Sequence, residues 1–205
     1  MKRFTTASAT VAAAIVLAGC GSGTAPGTSG AATSAPAASA RTPATSSAPA
    51  GHNSADTMFV QMMLPHHEQA LEMSGIMLAK QDLDPQIKQL AEDITAAQGP
   101  EIEKMEGWLQ GWGEAGTSGG HQMGGGHGMD GLVSTEDLDK LRAAQGSEAA
   151  RLYLTHMTAH HEGAIKMARE EVSNGSNPEV VALAKEVVAD QQAEIRKMKE
   201  LLAGL

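Results

Sequence analysis

Histidine and methionine occur together at two places in the sequence. Residues 62–73 read MMLPHHEQALEM, and residues 156–167 read HMTAHHEGAIKM. In each stretch, methionines lie three residues before and seven residues after the first of two adjacent histidines. Imidazole binds many transition metals, and thioethers favour soft ions such as Cu(I). The repeated pattern therefore indicates a candidate metal site built from both ligand types.

The two stretches are copies of one unit. They align at an offset of 94 residues, and QGPEIEKM at 98–105 aligns with QQAEIRKM at 191–198 after a one-residue shift. The chain thus contains an internal duplication. The candidate metal ligands are the histidines and methionines that the alignment pairs: Met63, His66, His67, Met73, Met157, His160, His161 and Met167.

The elements that must position these ligands are helical. Phe59, Met63, His66, Ala70 and Met73 recur at steps of three and four residues, which is the period of one face of an α-helix. The second helix of each unit has a similar apolar stripe. Each unit is therefore predicted to be an αα-hairpin, and two copies can bury their apolar faces in an all-α four-helix bundle.

Turn and end signals divide the helices. Asp84 and Asn177 are predicted N-caps, each followed by a proline at the first helical position. The stretch STEDLDKLRAA predicts a short additional helix. Pro65 and Pro100 fall inside predicted helices, where each removes a backbone hydrogen bond and is expected to bend or restart the helix.

Antiparallel packing within each hairpin determines what faces the histidines. Polar residues interrupt the apolar stripe of the second helix in each unit. Counting outward from the predicted turns places this interruption level with the His-His pair. His66 and His160 are expected at the centre of the inward face, with His67 and His161 about 100° round the helix, at its flank. The candidate supporting residues opposite the pairs are Gln98, Glu101, Gln191 and Glu194.

Two alternatives compete with a soft-metal site. Methionine at helical spacing is usually core filler, an interpretation that applies to Met77 and Met105 in particular. The histidines could likewise be core hydrogen-bonders in a non-catalytic structural or interaction bundle, satisfied by the nearby glutamines. A di-iron site requires Glu-x-x-His on inward faces, and the chain does not offer it.

The N-terminus predicts export and a lipid anchor. Lys2 and Arg3 precede a short apolar run that ends at Cys20, the single cysteine, in the sequence LAGC. This is typical of a signal peptide over residues 1–19, and the ending resembles the bacterial lipobox, in which the cysteine carries fatty acyl chains such as palmitate. The predicted location is the outer face of the cell membrane. No thiolate then remains as a metal ligand.

Composition divides the rest of the chain. Residues 20–54 are rich in Ala, Ser, Thr, Gly and Pro, which predicts a flexible tether, and residues 55–205 suit one folded domain. Loss of the signal peptide takes the formal net charge from −9 to −11, since that segment carries Lys2 and Arg3 and no acidic residue. An acidic chain without a basic patch argues against nucleic-acid binding.

A Gly-rich segment separates the two units. Residues 111–131 contain too much glycine for a helix and are predicted to form a loop. Histidines and methionines alternate with glycines there, which favours a flexible metal chelator over a plain linker. The candidate loop ligands are His121, Met123, His127 and Met129.

The chain resembles a bacterial family called domain of unknown function 305. FVQMMLPHHEQALEM and YLTHMTAHHEGAIKMA, each followed by QxxEIxKM, carry the resemblance, which covers roughly residues 55–203. It implies a ferritin-like fold, export and an association with copper. On the matching residues, it points to the same histidines and methionines as ligands.

The expected function is a lipid-anchored protein outside the membrane that sequesters or buffers copper, as Cu(I), or silver; other transition metals remain open. The partners expected are the membrane, through Cys20, and metal ions, with no nucleic acid. No nucleophile, acid–base pair or substrate pocket stands out in the sequence, so an enzyme is not expected.

Overall fold

The structure is a computed structural model that describes residues 51–116 and 130–205. This part of the chain forms five α-helices and no β-strand. The helices are α1 (Ser54–Leu78), α2 (Pro85–Trp112), α3 (Thr135–Ala143), α4 (Gly146–Asn174) and α5 (Pro178–Ala203). The predictions for the signal peptide, for Cys20 and for His121, Met123, His127 and Met129 lie outside the described residues.

The long helices form two antiparallel hairpins that pack together. α1 packs against α2, α4 packs against α5, and α1 packs against α4. The directions of α1 and α4 are opposite: Ser74 meets Tyr153 with hydroxyl oxygens 3.0 Å apart, and the Asn53 amide donates to the Asn174 carbonyl at the far end. This arrangement confirms the four-helix bundle of two hairpins, and α3 is the predicted additional helix.

The helix starts confirm the predicted turn chemistry. The side chains of Asp84 and Asn177 accept hydrogen bonds from backbone N–H groups of the first turns of α2 and α5. Pro85 and Pro178 occupy the first helical positions, where a missing N–H costs no helical hydrogen bond. Both hairpins therefore begin their second helix in the same way.

The domain begins slightly earlier than the composition indicates. α1 starts at Ser54, and Asn53 caps it in a capping box with Asp56. His52 stacks on Trp112 with ring centroids 4.1 Å apart. Residues 52–54, which the composition assigns to the tether, thus belong to the folded part, because Asn and Ser also favour helix N-termini. At the other boundary, α2 takes two residues from the predicted 111–131 loop.

Neither proline restarts its helix, which is one of the two effects expected of it. Pro65 lies inside continuous α1, and Pro100 lies inside continuous α2. Each proline removes only one backbone donor, and the apolar face on both sides of it remains buried in the bundle. Pro100 is also exposed, so water can solvate the carbonyl group that loses its donor.

Two buried carboxyl groups meet at one end of the α1–α4 interface. Asp56 accepts hydrogen bonds from the backbone N–H groups of Asn53, Ser176 and Asn177, at 2.7, 3.0 and 2.9 Å. Burial acts to raise the pKa of Asp56, but these hydrogen bonds lower it below its ordinary value. The Asp56 carboxylate thereby joins the start of α1 to the α4–α5 turn.

Glu171 is the second carboxyl group, and it is 2% exposed. Among the described residues, no donor hydrogen-bonds either of its oxygens. Burial, together with a hydrogen bond to Asp56 and the negative charge of that residue, raises the pKa of Glu171 to about 8. At neutral pH the raised pKa therefore favours the protonated form of Glu171 beside the Asp56 carboxylate. At the opposite end of the interface the duplication places Met77 and Ala150, and this equivalent pair is apolar.

No helix within residues 51–116 and 130–205 combines the length and the apolar character needed to cross a bilayer.

Candidate metal centre

The two copies of the first histidine meet where α1 crosses α4. The rings of His66 and His160 have centroids 3.7 Å apart and are tilted by 39°. Both side chains are fully buried. The alignment predicts both residues at the centre of the inward face, and the structure confirms this position.

The second histidines form two matching pairs with glutamates. His67 Nε2 lies 2.7 Å from Glu101 Oε2, and His161 Nε2 lies 2.6 Å from Glu194 Oε2. The predicted registry of each hairpin is therefore correct. His67 and His161, expected about 100° round the helix from the first histidines, are both fully buried, because that rotation turns each ring into the groove between its own two helices.

The glutamates connect this buried layer to the surface. The side chains of Glu101 and Glu194 are 17% and 19% exposed, whereas their histidine partners are fully buried. A carboxylate can only accept, so Nε2 of each histidine carries the proton. When the ring is neutral, the lone pair of the imidazole is therefore on Nδ1.

His66 has a different partner from His160. Its Nε2 lies 3.3 Å from the backbone carbonyl oxygen of Asp130. A carbonyl oxygen also can only accept, so His66 is protonated on Nε2 and has its lone pair on Nδ1. His160 makes no hydrogen bond of normal geometry through either ring nitrogen within the described part of the chain.

Unpartnered polar atoms are concentrated in this layer. Nδ1 of all four histidines and Nε2 of His160 are buried without a hydrogen-bond partner among residues 51–116 and 130–205. Both amide atoms of Gln98 and the oxygen of Gln191 are in the same state. The interpretation of the histidines as core hydrogen-bonders requires these glutamines to be their partners. The glutamines do not make these hydrogen bonds.

Burial keeps the central histidines neutral. It lowers the pKa of His66 to about 3, and repulsion from His67 acts in the same direction. The pKa of His160 is also well below its ordinary value, first through burial and then through the neighbouring histidines, although the His66 carbonyl opposes this shift. A neutral ring keeps a lone pair on one nitrogen, and this neutral form is the one that binds a metal.

The buried methionines form two groups, one on each side of the histidines. Met63 and Met167 lie in one apolar cluster, and Met73 and Met157 lie in the other. The antiparallel crossing of α1 and α4 explains this arrangement, since a residue before His66 is level with a residue after His160. The predicted set of four methionines therefore does not converge at one point.

Each group also contains a methionine from the partner helix of a hairpin, and Met77 of α1 belongs to the cluster of Met73. Met105 belongs to the cluster of Met63, and Met198 belongs to the cluster of Met157. All are buried. Sequence reasoning treated Met105 as core filler and did not select Met198. The signal was present, because the alignment pairs these two methionines at the ends of QGPEIEKM and QQAEIRKM.

The donor set fits a soft ion better than a hard one. In the described part of the chain, no three His, Cys, Asp or Glu side chains are grouped closely enough to hold a metal ion. The buried sulfur-bearing side chains in the two apolar clusters beside the histidines are methionines, and thioethers select soft ions. The role of the selected side chains as ligands stays a prediction.

Solved structures share this fold over nearly their whole length. A putative secreted DUF305 protein from Streptomyces coelicolor is 35% identical, with a TM-score of 0.67; the match covers 74% of this chain and 93% of that one. A DUF305 fragment from Deinococcus radiodurans is 31% identical, with a TM-score of 0.65, covering 75% and 98%. No curated protein sequence matches the chain.

A third solved structure is described by its bound metal. CopM in the Cu(I)-bound form is 32% identical, with a TM-score of 0.60, and the match covers 73% of this chain and 96% of that one. CopM is also similar to this chain in its Cu(II)-bound and Ag-bound forms. Residues 56–202 match the family described as Domain of unknown function (DUF305). The chain therefore belongs to the DUF305 family.

Proposed function

We propose that the bundle binds a soft metal ion, Cu(I) or Ag(I), between its two hairpins through imidazole nitrogen and thioether sulfur. The observation that carries the proposal is the set of five buried, unpartnered imidazole nitrogens on His66, His67, His160 and His161. A buried polar atom without a partner costs about 1–3 kcal/mol. A ligand that uses the one available lone pair of each neutral ring explains this layer better.

The surrounding residues give that layer the properties of a soft site. The neutral rings of His66 and His160 present lone pairs without first losing a proton. Glu101 and Glu194 hold the rings of their histidines in a fixed orientation, as carboxylates commonly do for metal-bound histidines. The two methionine groups supply sulfur on both sides. The bound ion is cargo, held away from water and from reaction.

Similarity to CopM supports the choice of metal. The structures of that protein hold Cu(I), Cu(II) or silver. The match to CopM is 32% identical and covers 96% of CopM. Copper and silver are also the ions that a methionine and histidine set without cysteine selects.

The proposal extends to location. The LAGC motif favours a lipid on Cys20, which would hold the domain on the outer face of the cell membrane at the end of its tether. There the protein would sequester or buffer copper, and the histidines and methionines of residues 121–129 would add a second, weaker set of ligands. We propose no catalytic activity.

Competition with a Cu(I) chelator of known affinity tests the metal site. The protein would be the mature chain, residues 20–205, with Cys20→Ser to remove the lipid. We expect His66→Ala with His160→Ala to weaken Cu(I) binding at least tenfold. His52→Ala, which changes a histidine at the end of the bundle, is the control and should leave the affinity unchanged.

Thermal unfolding separates the proposal from the structural alternative. An ion that binds only the native state must raise the melting temperature. A melting temperature that Ag(I) and Cu(I) leave unchanged, together with equal affinity of the double alanine variant and the native chain, would favour a bundle whose histidines are only structural.

A further inference from the structure

The duplication is broken at one position beside the histidines. Gln69 in the first copy aligns with Gly163 in the second. Both residues contact the same segment, residues 130–133, which precedes α3 and which we call the strap. The strap crosses the bundle next to His66 and His160, and it contacts both α1 and α4.

Gln69 holds the strap on the α1 side. Its side-chain nitrogen donates to the Val133 carbonyl at 2.9 Å, and its side-chain oxygen accepts from the Val133 N–H at 2.8 Å. This pair of hydrogen bonds satisfies both backbone groups of one residue. A single side chain therefore fixes the end of the strap in position and in direction.

Gly163 lets the strap approach on the α4 side. A methyl group at this position would collide with the backbone carbonyl of Asp130. The strap uses a glycine in return: Gly131 has φ +92°, and a Cβ there would lie 2.7 Å from the Ala159 carbonyl oxygen. Lys166 pairs with the Asp130 carboxylate above the same contact. The strap and α4 can approach closely because each has a glycine where they cross, Gly131 in the strap and Gly163 in α4.

The strap makes the two central histidines unequal. The Asp130 carbonyl accepts the proton of His66 Nε2 at 3.3 Å. His160 makes no hydrogen bond of normal geometry to an acceptor among the residues that the structure describes, although the backbone carbonyl of His66 lies close enough to raise its pKa. The Asp130 contact favours one tautomer of His66, with Nδ1 unprotonated, whereas no hydrogen bond of normal geometry fixes the tautomer of His160.

We propose that Gln69 is a positioning residue which, through the strap, presets His66 as the Nε2–H tautomer with its Nδ1 lone pair available to the ion. This inference rests on the proposed soft-metal site and names how that site is organised. His66 is the preset ligand, and His160 is the ligand that adjusts when the ion arrives. Residues that orient a metal-bound histidine typically change metal affinity about 10–100-fold when they are replaced.

The first experiment needs no metal. Long-range proton–nitrogen correlation spectra of the metal-free mature chain distinguish protonated from unprotonated ring nitrogens. We expect His66 to be protonated on Nε2 alone in the native chain, and to show averaged nitrogen signals in Gln69→Ala. Gln110→Ala, which removes an exposed amide from α2, is the control and should match the native chain. A His66 tautomer that is unchanged in Gln69→Ala would overturn the inference.

A second variant displaces the strap from the other side. Gly163→Ala favours helix formation in α4 but forces the Asp130 carbonyl away from His66, so it should give the same averaged signals. Retained helical circular dichroism shows that the variant folds. A folded Gly163→Ala chain that keeps the native tautomer would contradict the role of the strap, even if Gln69→Ala does not fold.

Metal titration then separates the two proposals. With the same competitor chelator, Gln69→Ala should bind Cu(I) about tenfold more weakly than the native chain and Gln110→Ala. A native chain that binds no Cu(I) refutes the proposed function, whatever the spectra show. A native chain that binds Cu(I) as tightly as Gln69→Ala refutes only the role of Gln69.

Discussion

His66 and His160, which are copies of one ancestral position, contact each other across the interface of the two hairpins. The chain thus reproduces within one molecule the contact that a two-fold symmetric dimer makes between identical residues. A ligand at this contact meets matching side chains from both copies. The glutamate partners of His67 and His161 and the two methionine groups are related by the same two-fold symmetry. The strap breaks this symmetry at His66 and His160, because it accepts a hydrogen bond from the ring of His66 and not from that of His160.

The methionine that the partner helix adds to each group, Met105 or Met198, should matter for soft ions. Met105→Leu and Met198→Leu keep the side-chain volume nearly constant, a change that usually costs less than about 1.5 kcal/mol of stability. We expect each variant to bind Ag(I) several-fold more weakly in a competition assay, because a sulfur ligand is lost. Met77→Leu is the control within the cluster of Met73, since Met77 lies one helical turn farther along α1 from His66 and the duplication pairs it with Glu171. An equal loss of affinity in all three variants would contradict this assignment.

The glutamates behind the second histidines should tune the metal site. Glu101→Gln and Glu194→Gln keep an oxygen that accepts from Nε2 of the histidine but remove the negative charge. We expect each substitution to weaken Cu(I) binding about tenfold, within the range for residues behind metal ligands. Glu103→Gln, at an exposed position two residues from Glu101, should have no effect. Binding that depends equally on all three positions would point to general electrostatics.

The registry of the site could be predicted from sequence because it depends on local periodicity. Counting from the turns placed Glu101 and Glu194 level with the histidines, and both hydrogen bonds exist. The burial of His67 and His161 could not be read from a single helix, since the groove that receives them is made by a second helix. The contact from Asp130 to His66 could not be predicted at all, because a backbone carbonyl has no sequence signature.

The raised pKa of Glu171 should make the protein less stable as the pH rises. The unfolded chain releases this proton near the ordinary value of 4.5, and the folded chain keeps it until about pH 8. Because the folded state holds the extra proton between these values, the free energy of unfolding falls as pH rises through them and then levels off. The fall is at most about 1.4 kcal/mol for each pH unit.

Glu171→Gln measures this contribution directly. The amide stays neutral at every pH and can still donate to Asp56, so the variant should gain stability relative to the native chain as pH rises from 5 to 9. Urea unfolding at several pH values gives the difference, and the exposed Glu170→Gln is the control. A difference between Glu171→Gln and the native chain that does not change with pH would show that Glu171 is ionised throughout.

The buried hydrogen bond between Ser74 and Tyr153 should be replaceable by the apolar pair that stands at the equivalent positions of the other copy. The duplication pairs these residues with Ala168 and Phe59, which are both buried. Tyr153→Phe leaves the Ser74 hydroxyl unpaired and should cost about 1–3 kcal/mol. Adding Ser74→Ala removes the unpaired group, so the double variant should be more stable than Tyr153→Phe alone. Urea unfolding of the four combinations tests this, and costs that simply add would contradict it.

The fold was easier to predict than these exchanges because the duplication conserves apolar spacing while changing chemistry. Gln69 and Gly163, Met77 and Glu171, and Ser74 and Ala168 are copies with different side chains. Each change became meaningful only when the structure showed what lies opposite it. Sequence comparison of the two halves finds such positions, but it does not reveal whether a change accommodates a backbone, a proton or a hydroxyl group.

The start of the domain is fastened to both hairpins. The Asn53 amide donates to the Asn174 carbonyl, and the Asn177 amide donates to the Gly51 carbonyl. A mechanical pull on the chain at Gly51 is therefore shared between α1 and the α4–α5 turn from the outset. Such a pull loads these hydrogen bonds to the second hairpin as well as the first turn of α1.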